Sequence, residues 1–261
     1  MAGITYIGNG SGKSEKPTKA YIGDTNDKSK TIQKIYVGNS SNKSVRVWPI
    51  PILPLAYQQV EYIYNTNKTE YINTDVNPDS NTRCWMDIYV KHVITNNTSS
   101  GNDTGFFGTT NGTNKYGVDI YGGGTNYREY CSILFGSGAA VTQSYSSPYF
   151  RNLRHTIEVN RSGGYMYIDD VEYGPSTSTF SSIGKPLFLF VKNNNGTPGF
   201  NTTGEFYLYQ FKAWQGNTLI RDMYPCYKKS DLNAVGMFDV VNNTFYPNAG
   251  TGIFYKGPDV N

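Results

Sequence analysis

The sequence predicts an all-β protein whose main domain is an antiparallel sandwich. Aromatic residues make up 15% of the 261 residues, Gly numbers 28 and only 16% of the residues are charged, a composition typical of strands joined by tight turns. Short runs alternate apolar and polar side chains, and no window shows the capped apolar stripe of a helix. Strands with one apolar face need a second layer to cover it, which favours a sandwich.

The strongest strand signal opens the segment from Gly204 to Lys256. Strict alternation predicts that its first strand places four side chains on one buried face: Tyr207, Tyr209, Phe211 and Ala213. Turn-rich breaks divide the rest of the segment into further short antiparallel strands. A second apolar run, from Lys185 to Val191, predicts a continuous central strand.

Residues 1–48 contain an internal repeat. A Tyr-Ile/Val-Gly motif begins at Tyr6, Tyr21 and Tyr36, a period of 15 residues. Each unit is predicted to be a strand, a polar turn and a second strand, and it is too small to bury a core of its own. We therefore expect these tyrosines to serve assembly, either by winding three copies into a homotrimeric stem or by docking on a larger assembly; a disordered linker is the alternative.

Positive charge is concentrated in this N-terminal segment. Residues 1–48 carry a net charge of +5 and the remainder −2, giving +3 for the chain, which is too small to indicate nucleic acid binding. The proline-rich residues 49–55 predict a stiff extended linker. The main domain is then expected at residues 56–261.

The sequence does not indicate an enzyme. No Glu has acidic neighbours at the spacing that places two carboxylates on one strand face of a retaining glycoside hydrolase. Nucleophile-elbow and phosphate-loop motifs are also missing, and His92 and His155 are interpreted as structural residues. We expect no catalytic residue, although a depolymerase that uses carboxylates from distant loops stays open.

The cysteines and the hydropathy of the sequence indicate the state of the thiols and the cellular location. Cys84, Cys131 and Cys226 are odd in number and lack zinc-site spacing, which predicts buried free thiols and no metal site. The N-terminal residues lack the apolar core of a signal peptide, and no stretch approaches the roughly 20 apolar residues of a membrane span. We expect a protein made in the cytoplasm without a signal peptide and without membrane insertion.

Both ends of the main domain resemble a known family. The opening motifs are Tyr57-Gln58-Gln59-Val60-Glu61-Tyr62-Ile63 and Thr69-Glu70-Tyr71-Ile72-Asn73-Thr74; the closing motifs lie within 219–226, 235–239 and 245–252. They are similar to those of laminin-G-like, concanavalin A-like jelly-roll domains and bracket residues 54 to 257. In such domains Asp-Gly usually occupies the turn held here by Asp169-Asp170, so a left-handed backbone at this turn would cost more than with Gly.

The resemblance implies both a fold and a setting. It implies a concanavalin A-like jelly roll, a domain widespread in tail and other structural proteins of phages and prophages of gut Firmicutes. The expected protein is a virion component on the tail or capsid surface, most specifically a tail or fibre-associated receptor-binding protein that adheres to a host glycan. The alternatives are a capsid decoration protein without a receptor role, a glycan depolymerase and a bacterial surface adhesin.

Sugar binding needs exposed aromatic rings to stack on pyranose faces, with polar groups nearby. The irregular, Gly- and Asn-rich region from Lys91 to Arg128 supplies the candidate ligand-binding residues: Tyr116, Tyr121, Tyr127, Arg128, Asn111 and Asn126. The alternative for each tyrosine is a structural role.

Calcium is an open alternative, because laminin-G-like domains often carry it in rim loops. Asp103, Asp119 or Asp169 could supply oxygen ligands. No other cofactor is expected.

Overall fold

The computed structural model describes residues 21–23, 29–31, 35–38, 44–48, 53–65, 69–91, 104–123, 128–137, 141–146, 153–161, 163–176, 178–199 and 205–260. Their contacts divide the chain into two units, Met1–Ile52 and Leu53–Asn261. Every regular element among the described residues is a β-strand. The predicted all-β jelly-roll sandwich is confirmed.

The first unit contains two small antiparallel pairs. Its strands are β1 (Tyr21–Gly23), β2 (Ser29–Thr31), β3 (Ile35–Gly38) and β4 (Ser44–Trp48). β1 pairs with β2, and β3 pairs with β4. Tyr21 and Tyr36 therefore lie in strands, whereas Tyr6 lies outside the described residues. The assembly role of the three tyrosines stays a prediction.

The second unit is built from 19 of the described strands. They are β5 (Tyr57–Gln59), β6 (Ile63–Tyr64), β7 (Ile72–Asn73), β8 (Thr82–Val90), β9 (Thr104–Thr110), β10 (Lys115–Gly123), β11 (Arg128–Gly136), β12 (Val141–Ser146), β13 (Leu153–Val159), β14 (Met166–Ile168), β15 (Val171–Tyr173), β16 (Phe188–Leu189), β17 (Lys192–Asn194), β18 (Thr197–Gly199), β19 (Phe206–Gln215), β20 (Thr218–Lys228), β21 (Asp231–Asp239), β22 (Thr244–Pro247) and β23 (Tyr255–Lys256).

These strands form two sheets. The first sheet has the order β12-β11-β10-β9-β16-β7, with β17 and β18 attached beside β9. The second has the order β15-β14-β13-β8-β19-β20-β21-β22, with β5 on β20, β6 on β19 and β23 on β6. The described pairings in both sheets are antiparallel except for β17 with β9. Non-consecutive neighbours such as β8 and β19 show that the chain crosses between the sheets repeatedly.

The core lies between the sheets. Phe107 of the first sheet meets Phe211 of the second with ring centroids 6.1 Å apart, and both side chains are buried. An apolar cavity between the sheets has a volume of about 10 Å³, at the lower limit for a single water.

The alternation predicted for β19 is correct for Phe211 and Ala213 and wrong for Tyr207 and Tyr209. The buried side chains are those of Phe206, Leu208, Phe211 and Ala213, whereas Tyr207 and Tyr209 are half-buried. The pairing of β19 with β8 shifts register between Leu208 and Gln210. This bulge inserts one residue and inverts the phase of the strand. The two tyrosines thereby move from the predicted core face to the outer face.

The continuous strand predicted from Lys185 to Val191 is also wrong. Only Phe188–Leu189 forms a strand there, between β9 and β7 and near one end of the first sheet. Phe190 follows with a φ of 70°, a left-handed conformation that ends the extended run. Residues 187–191 are buried, but burial does not require a strand.

The three cysteines are free and buried, as predicted. Burial raises the pKa of Cys84 and of Cys226 to about 12, and it raises that of Cys131 as well. The thiolate is the reactive form of cysteine, so a buried thiol with a raised pKa reacts slowly.

We expect none of the three thiols to react with a disulfide reagent at pH 8 in the folded protein, and all three to react in denaturant. Because folding raises these pKa values above the roughly 8.5 of an exposed thiol, their contribution to stability is complete below that pH. It is lost as the pH rises towards 12, where the unfolded chain has released its thiol protons first. Rapid labelling of the folded protein would contradict this account.

The turn between β14 and β15 contains two non-Gly residues in left-handed conformations. Asp169 has a φ of 50° and Asp170 a φ of 65°, and the flanking residues Ile168 and Val171 pair directly. Such two-residue turns favour Gly at the second position. The Asp169 carboxylate accepts hydrogen bonds from Thr156 N at 2.8 Å and lies 2.7 Å from His155 Nδ1.

Replacing Asp170 with Gly is expected to raise the free energy of unfolding by about 0.5 kcal/mol, because relief of the left-handed strain outweighs the loss of an exposed ion pair with Arg161. Asp169→Gly is the matched control at the neighbouring position. It should lower the free energy of unfolding by about 1–2 kcal/mol, since it removes the bonds to Thr156 and His155. Chemical denaturation of both variants checks the opposite signs; equal effects would contradict the prediction.

Candidate functional site

Six tyrosines form a layer of rings on the outer side of the second sheet. We call this surface the tyrosine face, and its members are Tyr62, Tyr64, Tyr89, Tyr207, Tyr209 and Tyr255. Five of them are half-buried, and Tyr255 is 49% exposed. Aromatic rings at such a position are accessible from solvent while the sheet holds them in place.

The strand pairing places four of these rings in one row. Tyr89 on β8 lies directly opposite Tyr207 on β19, Tyr207 opposite Tyr64 on β6, and Tyr64 opposite Tyr255 on β23. Along β8 every second side chain is buried, which directs the intervening ones, including Tyr89, to the outer side. The bulge in β19 puts Tyr207 in phase with them.

Ring contacts connect the whole face. Within the row, centroid distances are 5.4 Å for Tyr89–Tyr207, 4.7 Å for Tyr207–Tyr64 and 5.5 Å for Tyr64–Tyr255. Tyr62 lies 4.9 Å from Tyr207 and 5.3 Å from Tyr209. These spacings are within the range of stabilising aromatic pairs, so each ring fixes its neighbours.

Two ion pairs flank the tyrosine face. The Arg154 guanidinium donates to both carboxylate oxygens of Asp87, each at 2.7 Å, and lies 3.7 Å above the Tyr209 ring. The Lys91 ammonium donates to Glu205 at 2.6 Å. Bidentate and stacked arginine is held in a defined orientation. The border of the face therefore carries fixed polar groups whose charges compensate each other.

The phenol groups of Tyr209 and Tyr64 stay protonated in neutral solution. Burial raises the pKa of Tyr209 to about 12, despite the opposing charge of Arg154. Burial and the neighbouring Tyr207 also raise the pKa of Tyr64. A protonated phenol both donates and accepts hydrogen bonds. The face thus combines apolar rings with hydroxyl groups, the combination that a sugar requires.

The structure contradicts Tyr116 as a stacking platform. Its side chain is fully buried, with 0% exposure, and its hydroxyl donates to Thr82 O at 2.9 Å. Side chains two positions apart on a strand point to the same face, so Tyr116 shares the core side of β10 with Val118 and Ile120. Tyr116 lies near the start of the regular nine-residue strand β10.

The other predicted sugar-binding residues are spread out. Asn111 lies in the turn between β9 and β10. Its side-chain oxygen Oδ1 accepts from Asn114 N at 2.8 Å, and its side-chain nitrogen Nδ2 donates to Ile183 O at 3.3 Å. Tyr121 and Arg128 lie near the opposite end of β10, around the pair Gly123↔Arg128. Asn126 and Tyr127 lie outside the described residues. The structure does not bring Asn111 together with Tyr121 and Arg128.

The suggested calcium ligands have other partners where they are described. Lys192 Nζ lies 3.3 Å from the Asp119 carboxylate, and Asp169 is engaged by Thr156 and by His155, which is 4% exposed. Burial opposes ionisation of Asp169, but these hydrogen bonds outweigh it and lower its pKa below the ordinary value. Asp103 and His92 lie outside the described residues.

Two broader searches cover only the part of the chain that the structure describes. There, no group of three or more His, Cys, Asp or Glu side chains is arranged to hold a metal ion. Nor does that part contain a helix long and apolar enough to cross a membrane.

Sequence reasoning missed the tyrosine face. Its six members come from four separate parts of the chain, and each part also reads as an ordinary core strand. One signal was present: β8 and β19 carry large apolar or aromatic residues on both of their faces. In β8, Trp85 and Tyr89 lie on one face and Met86 and Ile88 on the other. A strand with aromatic residues on both faces packs one face into the core and leaves the other face to form a second aromatic surface.

Comparisons with known proteins identify no family for this chain. No protein-family model and no curated protein matches the sequence. Among solved structures, the carbohydrate-binding module CBM66 from Bacillus subtilis is similar at 13% identity and a TM-score of 0.33, over 58% of this chain and 91% of the module. A mutant of HCR/D is similar at 12% identity and a TM-score of 0.38, over 70% of this chain and 47% of the other.

Proposed function

We propose that this protein is a non-catalytic glycan-binding protein and that the tyrosine face is its binding surface. The observation that carries the proposal is the row of Tyr89, Tyr207, Tyr64 and Tyr255 across four neighbouring strands, with centroids 4.7–5.5 Å apart. Stacking on an aromatic ring and hydrogen bonding to nearby polar groups is how proteins hold pyranose rings. The flanking ion pairs supply the polar groups.

Binding is favoured over cleavage by the state of the nearby carboxylates. Asp87 is held by two hydrogen bonds from Arg154, and Glu205 by one from Lys91. A glycosidase needs one carboxyl group to protonate the leaving oxygen and a second to act on the sugar or on water. Carboxylates committed to ion pairs are poorly suited to either task.

The wider role that we propose is adhesion of a phage particle to its host. It is supported by the resemblance of both ends of the domain to laminin-G-like domains of phage structural proteins and by the three N-terminal repeats. In this role the repeats attach the protein to the tail or fibre, as a trimer or on a larger assembly, and the sandwich is displayed outward. Measuring the size of the full-length protein in solution tests whether it forms a trimer. Detecting the protein in purified phage particles tests whether it is attached to the particle.

Replacing Tyr207 with Ala is expected to reduce glycan affinity at least tenfold, because this ring contacts three others and lies in the centre of the face. The full-length protein and the variant are compared on a glycan array and by adsorption to host envelope fractions. Tyr167→Ala is the control, since Tyr167 lies on the outer side of the same sheet but stacks with Arg161. Retention by no glycan, or equal retention by the Tyr207 variant, would contradict the proposal.

A further inference from the structure

The shape of the tyrosine face restricts the glycan that it can bind. We infer that the face takes an internal stretch of an uncharged, extended polysaccharide that lies across the strands of the second sheet. This inference rests on the proposed function and names the ligand class of the same site. Three properties of the face carry it: the direction of the row, its open end and the balance of its charges.

The row runs perpendicular to the strands. Its four rings belong to β8, β19, β6 and β23, which are successive neighbours in the sheet. Three strand spacings amount to about 14 Å. Stacked rings are about 4.5–7 Å apart. If each sugar of the glycan takes one such interval, the length of about 14 Å has room for two to three consecutive sugars. A single sugar would use only part of it.

The row ends at an open edge. Tyr255 is 49% exposed and lies on β23, which pairs with β6 alone among the described strands. At the other end Arg154 lies opposite Tyr89 and folds down onto Tyr209 and Asp87. A glycan that follows the row can therefore continue past Tyr255. Recognition of a chain end would instead need a pocket that closes around the terminal sugar.

The charges around the row disfavour acidic sugars. Arg154 is paired with Asp87, and Lys91 is paired with Glu205. Glu61 adds a further negative charge near Arg154 and Tyr209, on which it acts electrostatically. A carboxylated or sulfated glycan would have to displace an existing partner and approach Glu61. An uncharged glycan pays neither cost and can use the phenol hydroxyls.

The test measures how far full-length protein is retarded in native gels that contain a soluble polymer. The neutral probes are a linear β-glucan, a xylan and a mannan; the acidic probes are polygalacturonate and hyaluronan. Oligosaccharides from the retained polymer, with chemically capped ends, then compete in solution. We expect retention by neutral polymer that does not change with salt, and affinity that rises about threefold to tenfold per added sugar up to three sugars.

Two variants examine the direction of the row. Tyr255→Ala shortens it at an exposed position, so affinity for the trisaccharide should fall at least threefold and affinity for the disaccharide should fall by less. Tyr167→Ala, outside the row, should change neither value. Thermal unfolding of each variant separates a loss of binding from a loss of folding.

The outcomes distinguish the inference from the proposed function. Retention only by acidic polymers, equal inhibition by a monosaccharide and the trisaccharide, or loss of binding after capping the chain ends would overturn the inference while glycan binding stands. Retention by none of the probes, or retention unaffected by Tyr207→Ala, would overturn both.

Discussion

Replacing Arg221 with Met is expected to lower the free energy of unfolding by about 3–5 kcal/mol, because it leaves a buried carboxylate without its opposite charge. Arg221 Nε lies 3.7 Å from Asp239 Oδ2, and the side chains are 13% and 0% exposed. Asp239 Oδ1 accepts from the backbone of Asp222 and Val241 at 2.9 and 3.0 Å. Arg221 Nε also donates to Thr74 O at 3.0 Å, so the side chain connects β20 to the segment after β7.

Arg83→Met is the matched control for this change. Arg83 pairs with the buried Glu158, but Arg161 pairs with the same carboxylate and remains in the variant. Arg83 is also 33% exposed, so its loss should cost clearly less. Adding Asp239→Asn to Arg221→Met should recover part of the loss, since the buried charge is then removed as well. Urea denaturation gives the three values; a loss for Arg221→Met no larger than for Arg83→Met would contradict the argument.

Replacing Gly250 with Ala is expected to cost about 3 kcal/mol, because the added methyl group would overlap a backbone carbonyl. A Cβ at this position would collide with the Thr69 carbonyl oxygen and lie 2.8 Å from its carbon. The backbone cannot easily move away. Ala249 N donates to Tyr71 O at 2.8 Å, and Asn248 Oδ1 accepts from both Tyr71 N and Gly250 N, at 3.1 and 2.9 Å.

Gly199→Ala is the control for Gly250→Ala. Its Cβ would collide with the amide end of Asn194, an exposed side chain that can rotate aside, and the nearest backbone atom, Lys192 O, would be 3.3 Å away. We expect a cost below about 1 kcal/mol at Gly199. Thermal and urea unfolding of both variants provide the comparison, and similar losses at the two positions would show that close backbone packing is not the cause.

These two sites give residues of the closing motifs a structural role. The motifs contain Arg221, Asp239 and Gly250, and each of them makes a structural contact. They join the closing motifs to the opening motifs through Thr69, Tyr71 and Thr74. A fold does not by itself imply a function, so the binding role is argued from the tyrosine face and not from these contacts.

The fold class was accessible from the sequence because it depends on local patterns. The free buried thiols were predicted correctly, and the Asp169-Asp170 turn has the left-handed backbone that was considered for it. Errors arose where a local irregularity overrode the pattern. The bulge in β19 inverted the faces of Tyr207 and Tyr209, and the left-handed Phe190 ended a predicted strand.

The candidate site could not be predicted in the same way. A composition-based search pointed to Tyr116, whose ring is in the core, and to residues at opposite ends of β10. The tyrosine face is assembled from strands that are distant in the chain, and its register depends on a bulge. No window of sequence contains that information.

The sequence by itself determined that this protein is an all-β sandwich, since periodicity, turn residues and a low fraction of charged residues act within a few positions of each other. Only the tertiary structure decided which tyrosines fill the core and which form a surface. That choice follows from strand order and register, because a shift of one residue moves every side chain of a strand to the other face. Tyr207 belongs to the outer row for this physical reason.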